Sequence, residues 1–192
     1  MKVKLLKVTS LPEDLIASAA RICYASSPKS SSANKSLVKN LRDWGHLSTY
    51  EHASATFLVE DVSRACTHQL VRHRLASYSQ QSQRYVEESG FKYITPPSIR
   101  KNKKAARLFM DQMESARESY RQLVGAGVPK EDARFVLPNA TETKIVVTMN
   151  FRELRHFITI RSSKSSQWEI RELAEKMAAL MKKKAPTAFG DL

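Results

Sequence analysis

Glycine is scarce in this 192-residue chain. There are five, and none builds the GxGxxG turn or the phosphate-cradling loop of common nucleotide-binding folds. A dinucleotide bound here is therefore not bound in the Rossmann manner. Cysteine is scarcer still: Cys23 and Cys66 stand far apart and form no CxxC pair. That excludes a disulfide framework and predicts a reduced, cytoplasmic chain. No apolar run approaches the roughly 18 residues needed to span a bilayer, and no apolar stretch follows the initial Met-Lys, so neither a membrane span nor a signal peptide is expected. Negative charge is also in short supply, with 19 acidic against 32 basic residues and a formal net charge of +13. Such an excess implies acidic partners: nucleic acid, a membrane surface, or anionic small molecules such as nucleotides and folates. Composition alone does not choose among them.

What is present is ordinary for a globular protein: 42% hydrophobic and 27% charged residues, in a length that favours one domain, residues 1–192, with a substantial core. Residues 3–8 read as a strand and Pro12–Tyr24 as a helix. Leu37, Val38, Leu41 and Trp44 mark a second amphipathic helix stopped near Gly45, with Ser26–Ser32 as the loop between the two. Alternation over Ala53–Glu60 predicts a strand, after which Ser63 is placed to cap a helix. Tyr93–Pro97 is expected to be extended. A long helix is predicted from Arg100 to Val124, ending at Gly125 and Gly127, and Pro129 opens a short one. Lys144–Met149 reads as a strand. Asn150 with Glu153 has the spacing of a capping box, and Trp168–Lys184 is an amphipathic helix with a basic end. Strands and helices mix without regular βαβ alternation. The expected class is α+β, or irregular α/β: a central, mostly antiparallel sheet flanked by helices.

The most informative segment runs from Arg72 to Tyr85. It holds three arginines, one histidine and several hydroxyls and amides, but no lysine. Guanidinium forks suit bidentate recognition of phosphate or carboxylate, so an anion site is favoured over a solvated basic surface. Ser and Gln after Leu75 argue against a continuous helix. On a helix leading into the segment, Gln69 would share a face with Arg72 and His73, while Leu70 points to the core. A second group is Asn150, Arg152, Arg155, His156 and Arg161, with residues 152, 155 and 156 on one helical face. His46, Ser48, Glu51 and His52 form a third polar group after Gly45.

A metal site is not expected. His68 and His73 are five residues apart and on a helix would diverge by roughly 140°, and no carboxylate or thiolate cluster completes a ligand set. No nucleophile stands out either. Cys66, and in the same way Cys23, read as small buried hydrophobes. Ser82 lies in a more exposed context, but no Ser-His-Asp order is readable.

Taken together, these groups resemble the flavin-dependent thymidylate synthase family. Its defining pattern is Arg-His-Arg, seven residues, then Ser; here Arg72-His73-Arg74 is followed by Ser82, then Arg84-Tyr85. The likeness extends to Ala20–Tyr24, Gly45-His46 to Glu51-His52, Arg134 to Pro138, Asn150 to Arg161 and Gln167–Glu169. The resemblance implies that FAD, reduced by NADPH, relays a one-carbon unit from methylenetetrahydrofolate to dUMP and supplies the hydride, giving dTMP without an enzyme nucleophile. It implies FAD contacts from Arg72, His73 and Arg74, with Ser48, Gln80, Asn150, Arg152 and His156. It assigns dUMP to Gln69, Leu70, Val71 and Arg72, to Gln80, Gln81, Ser82, Gln83 and Arg84, and to Arg134 and Arg161. Arg161 would lie against the uracil edge and favour ionisation at N3, acting electrostatically because a guanidinium stays protonated. Ser82 would orient dUMP, and His46 would face the folate side of the flavin. The family also implies a homotetramer with shared active sites.

The chain departs from the pattern at Ser79-Gln80, where Asn-Glu is frequent, at Thr49, where Pro is common, and at His156, where Asn is frequent. Two other readings compete. A basic RNA- or DNA-binding module rests on the charge but lacks a nucleic-acid motif or paired aromatic platform, and would show salt-sensitive affinity without flavin. A flavoprotein reductase unrelated to nucleotides would bind FAD and ignore dUMP.

Overall fold

The computed structural model describes residues 1–192 and is α+β. In chain order the elements are β1 (Lys2–Val8), α1 (Pro12–Cys23), α2 (Ser31–Asp43), a 3-10 turn (Leu47–His52), β2 (Ser54–Ser63), α3 (Arg64–Leu70), β3 (Ala76–Gln80), α4 (Pro97–Arg100) and α5 (Lys103–Gly125). There follow α6 (Lys130–Ala133), a 3-10 turn (Arg134–Val136), β4 (Glu142–Asn150), α7 (Phe151–Arg161), α8 (Trp168–Lys184) and α9 (Pro186–Phe189). The strands form one four-stranded antiparallel sheet in the order β1-β2-β4-β3. Two compact units are distinguished: residues 1–59, 69–78 and 146–192, and residues 60–68 and 79–145.

In the first unit the alternation read from the sequence is visible as burial. Ala55, Phe57 and Val59 of β2 point inward, as do Val147 and Met149 of β4. Helices α1, α7 and α8 cover the core with Ile16, Leu154, Phe157, Leu173 and Met177, all fully buried. Burying each such side chain contributes about 1.5–3 kcal/mol before entropy is counted. The serine run after Pro28 is not all loop: Ser30 accepts from the Ala33 amide at 3.4 Å, so Ser31 and Ser32 already form the first turn of α2. A hydroxyl at the N-cap satisfies an amide that the helix cannot. Gly45, with φ of 75°, supplies the left-handed turn that ends the α2 segment.

The C-terminal turn is held by three helices. Glu13 of α1 accepts from the amides of Thr187 and Ala188, at 2.6 and 3.1 Å, and so caps α9. Arg42 of α2 donates to the Thr187 carbonyl at 2.9 Å. Arg155 of α7 makes a two-pronged ion pair with Asp191, at 2.8 and 2.6 Å, and also donates to the Ala188 carbonyl. Arg155 is 8% exposed, which corrects the expectation that it shares an open face with Arg152 and His156. Those two, one turn apart, are exposed, whereas Arg155 is rotated away from them into the interior.

In the second unit Phe91, Met113 and Ala116 are packed by Tyr93, Phe109, Leu137 and Ala140. Arg117 lies 5.2 Å from the ring centres of both Phe91 and Tyr93 and donates to the Phe91 carbonyl, a cation–π arrangement with its hydrogen bonds met. The long helix begins at Lys103 rather than Arg100, because the Asn102 side chain caps it through the Ala105 amide at 3.1 Å. Pro97, expected to be extended, is instead the first residue of α4, a position where its missing N–H costs nothing.

Replacing Asp191 by Ala would leave the buried Arg155 guanidinium short of its main acceptor. Urea unfolding is expected to show a loss of about 1–3 kcal/mol, with an unchanged midpoint as the contrary result.

Candidate active site

Helix α3 begins as expected, with Ser63 accepting from the Cys66 amide at 3.0 Å, but it ends at Leu70. Gln69, Arg72 and His73 are therefore not three positions on one helical face. Leu70 is fully buried and offers no side chain to a ligand. Residues 71–75 form a turn that places Val71, Arg72, Arg74 and Leu75 on the surface and His73 inside. The expected loop beyond it begins as strand β3, whose Tyr78 ties the turn down. The Tyr78 hydroxyl lies 2.8 Å from both the Leu70 and the His73 carbonyls. Burial, with Glu153 nearby, pushes its pKa well above the ordinary tyrosine value, so it remains a donor.

His73 is 7% exposed, and both ring nitrogens have protein partners. Nδ1 lies 3.0 Å from Glu153 Oε1, and Nε2 lies 3.1 Å from Arg161 Nε. Because the Arg161 Nε–H can only donate, Nε2 must accept; the imidazole is neutral, with its proton on Nδ1 directed at the carboxylate. Phe157 stands edge-on to the ring at 5.0 Å. Burial, with Arg161 and His156 adding to it, lowers the His73 pKa, while the hydrogen bond and charge of Glu153 oppose the shift. The carboxylate, imidazole and guanidinium thus form a hydrogen-bonded chain ending at Arg161.

Two cavities flank Arg152 in the same unit. One, of about 590 Å³, is lined by Glu51, Leu75, Asn150, Arg152, Glu153 and His156 among others. The other, of about 260 Å³, takes in Cys23, His46, Ser48, Thr49 and Arg152. Arg152 pairs with Glu51 at 2.6 Å. Asn150 accepts from the Glu153 amide at 2.9 Å, as the capping spacing requires. Thr49 Oγ1 is buried and has no hydrogen-bond partner. Cys23 is exposed, contrary to the expectation of a buried thiol: the last turn of α1 brings it into the smaller cavity. Cys66 is fully buried, as expected.

The remaining predicted residues lie in the second unit. Gln80 Nε2 donates to Thr67 and Thr143 hydroxyls at 2.9 and 3.3 Å. Gln81 donates to Glu88 at 3.4 Å. The Ser82 hydroxyl accepts from the Arg84 amide at 3.2 Å, and Gln83 is half-buried. Arg84 pairs with Glu131 at 2.7 Å, while Arg134 Nε donates to the Glu131 carbonyl at 2.9 Å. One glutamate thus organises two predicted anion-binding arginines. An acidic cavity of about 460 Å³, edged by Glu60, Glu87, Glu88 and Glu142, was not foreseen in so basic a chain. Burial raises the Glu88 pKa there, against the hydrogen bond from Gln81. Glu131 and Tyr78 gave no signal in the sequence. Glu153 gave one only as a capping residue.

A family described as "Thymidylate synthase complementing protein" matches residues 4–187. The chain is 50% identical over its whole length to a flavin-dependent thymidylate synthase of Geobacter sulfurreducens, covering 86% of that protein. It is 44% identical over 98% of its length to one of Clostridium tetani, covering 85% of it, and 42% over 96% to one of Pyrococcus furiosus, covering 80%. The chain belongs to the flavin-dependent thymidylate synthases. For a member of that family the donor set of the first unit is chemically apt. The Arg152 guanidinium, the Ser48 hydroxyl, His156 and the unpartnered Thr49 hydroxyl fit a group that is anionic at one end and rich in hydrogen-bonding atoms at the other, as a flavin nucleotide is.

The lowered His73 pKa has a sign that can be checked. The unfolded chain takes up this proton near the ordinary value of 6.5 and the folded chain only below it, so stability is complete above that value and falls as pH drops beneath it. Thermal unfolding is expected to show a fall in Tm from pH 7 to pH 5 that is smaller in His73→Gln. Equal slopes would remove His73 as the source.

Proposed function

We propose that this chain methylates dUMP to dTMP, taking the one-carbon unit from methylenetetrahydrofolate and a hydride that originates in NADPH. FAD, when bound, supplies the hydride relay. The observation that carries this is the aimed guanidinium of Arg161. Its Nε is committed to His73, so the terminal nitrogens remain for a ligand, and a fixed cation of this kind stabilises an anion on a planar ring such as N3-ionised uracil. Arg161 holds that charge without exchanging a proton.

Ser48, Asn150, Arg152 and His156 are assigned to the flavin, and His46 to its folate side. Arg72 and Arg74, exposed on the turn, are assigned to flavin phosphate or ring oxygens. His73 is reached by flavin only through its ring edge, since both nitrogens are engaged. For dUMP we assign Gln69, Arg72, Gln80, Gln81, Ser82, Gln83, Arg84, Arg134 and Arg161, with Leu70 and Val71 contributing backbone. The Ser82 hydroxyl accepts from the Arg84 amide, a contact that fixes its direction and supports the orienting role assigned to it. The two free cysteines support a reducing cytoplasmic setting. No helix is long and apolar enough to cross a membrane. Ile22 and Phe135, each 83% exposed, and Leu11 at 74% support burial in an assembly, and we take a homotetramer as the working state. One family match across residues 4–187 supports a single functional domain. Nothing in the comparisons favours the nucleic-acid reading.

The test is the visible spectrum of FAD-reconstituted protein before and after adding dUMP. A flavin band that shifts is expected in the wild type. In Arg161→Ala the flavin is expected to remain while dUMP affinity falls by at least about tenfold, the scale of one charged hydrogen bond. A band indifferent to dUMP would point to a different flavoprotein. Ser82→Ala is expected to retain measurable turnover. Abolished chemistry with normal dUMP binding would contradict the assignment of Ser82 as an orienting contact only.

A further inference from the structure

We propose that Glu153 is a positioning residue that fixes the tautomer of His73 and, through it, the aim of Arg161. The proposal rests on the thymidylate synthase reading of the site for its consequence, but its structural core is independent of it.

Glu153 occupies the third position of α7, where the capping box would turn its carboxylate back to the Asn150 amide. Half of that box is present, since the Asn150 side chain accepts from the Glu153 amide. The carboxylate is instead 3.0 Å from His73 Nδ1, and it is 7% exposed. A carboxylate withdrawn from water and from its local partner needs a hydrogen-bonded proton to offset its burial, and the imidazole supplies one.

The geometry allows only one arrangement of that proton. If it sat on Nε2, two N–H donors, those of His73 and Arg161, would face each other across 3.1 Å, and the carboxylate would face a bare lone pair on Nδ1. With the proton on Nδ1 both contacts are satisfied. A doubly protonated ring would keep the carboxylate but lose its acceptor for Arg161 and meet a second cation there. The charged and titratable groups around the ring are Glu153, Arg161 and His156, and of these only Glu153 accepts a hydrogen bond from Nδ1–H. Removing it leaves the buried Nδ1–H without an acceptor, which offsets the preference for that tautomer that the Arg161 contact imposes. Whenever the ring takes up the Nε2–H form, Arg161 loses its acceptor and its fixed direction. The cap is unaffected, because it uses the Glu153 backbone amide.

This resembles the way a carboxylate orients a metal-binding or general-base histidine, with a guanidinium in place of the metal or the nucleophile. Arg161 has other N–H groups beyond Nε. Tethering Nε directs the planar fork without consuming the terminal nitrogens, which is what recognition of a flat ring edge requires.

The experiment compares wild type, Glu153→Ala and Glu153→Gln by 15N-detected imidazole NMR, assigned with His73→Gln, and by dUMP titration of the FAD-loaded protein. The wild type is expected to show bare Nε2 and protonated Nδ1. In Glu153→Ala the His73 signals should move toward the Nε2–H tautomer, and dUMP affinity should fall about tenfold with flavin binding retained. Glu153→Gln, whose amide oxygen still accepts from Nδ1–H, should restore the tautomer and return affinity to within about threefold. It should also move the acid limb of the kcat profile to lower pH, because the charge that favoured imidazolium is gone. An unchanged tautomer in Glu153→Ala, or a glutamine variant no better than alanine, would overturn the proposal. Wild-type protein that failed to bind dUMP would instead sink the enzymatic reading, leaving the tautomer measurement to decide the role of Glu153.

Discussion

A neutral imidazole buried between a carboxylate and a guanidinium sets conditions on everything around it. His73 reaches that position from an irregular turn, and irregular backbone is ordinarily left at the surface, where water meets its polar groups. Here the Tyr78 hydroxyl shares its proton between the carbonyls of Leu70, at the end of α3, and His73, and Leu70, fully buried, anchors the start of the turn. The receiving surface is one stripe of α7. Glu153, Phe157 and Arg161 follow each other at intervals of four residues, so an acceptor, an aromatic face and a donor lie along one side of the helix. The imidazole meets all three. A shift of one residue in the register of α7 would lose the acceptor and the donor together.

Helix α7 is correspondingly well held. The Asn150 side chain, at the end of β4, caps its start. Leu154 and Ile158 bury its inner face, and Arg155 pins its flank to the C-terminal turn through Asp191. The last residues of the chain therefore act at a distance on the stripe that receives His73, by restricting rotation of the helix rather than by touching the site. Glu13 and Arg42 add the anchoring of α1 and α2 to the same turn.

The sequence made some of this legible and hid the rest for physical reasons. Strand alternation and amphipathic spacing located β2, β4, α1 and α8 well, because burial of one face leaves a periodic trace. Caps were readable where a short polar side chain preceded an apolar run, as at Ser63 and Asn150. The Arg72–Tyr85 motif favoured an anion site by residue type, and the structure leaves Arg72 and Arg74 of it exposed. What could not be read was direction. Residue spacing placed Gln69, Arg72 and His73 on one helix face only on the assumption that the helix continued, and it ends at Leu70. Arg155 looked like a neighbour of Arg152 until a rotation of about 60° around the helix separated an exposed cation from a buried one. Cys23 resembled Cys66 in local context, yet one is open and the other enclosed. The partners that matter most, Glu153 to His73 and Asp191 to Arg155, are distant in sequence or serve a second role, and a single sequence carries no mark of such pairing.

The charged contacts also divide by how exposed they are. Arg84 with Glu131 and Arg152 with Glu51 are roughly half-exposed pairs. Pairs of that kind contribute about 0–1 kcal/mol, so separating them costs little. The His73 chain is of the opposite kind. Its carboxylate is enclosed, and separating the pair would strand a buried charge at a cost of several kcal/mol. Ligand anions can compete for the first class and not for the second. Arg161, the one cation assigned to the reacting ring, is held by a contact of the second class.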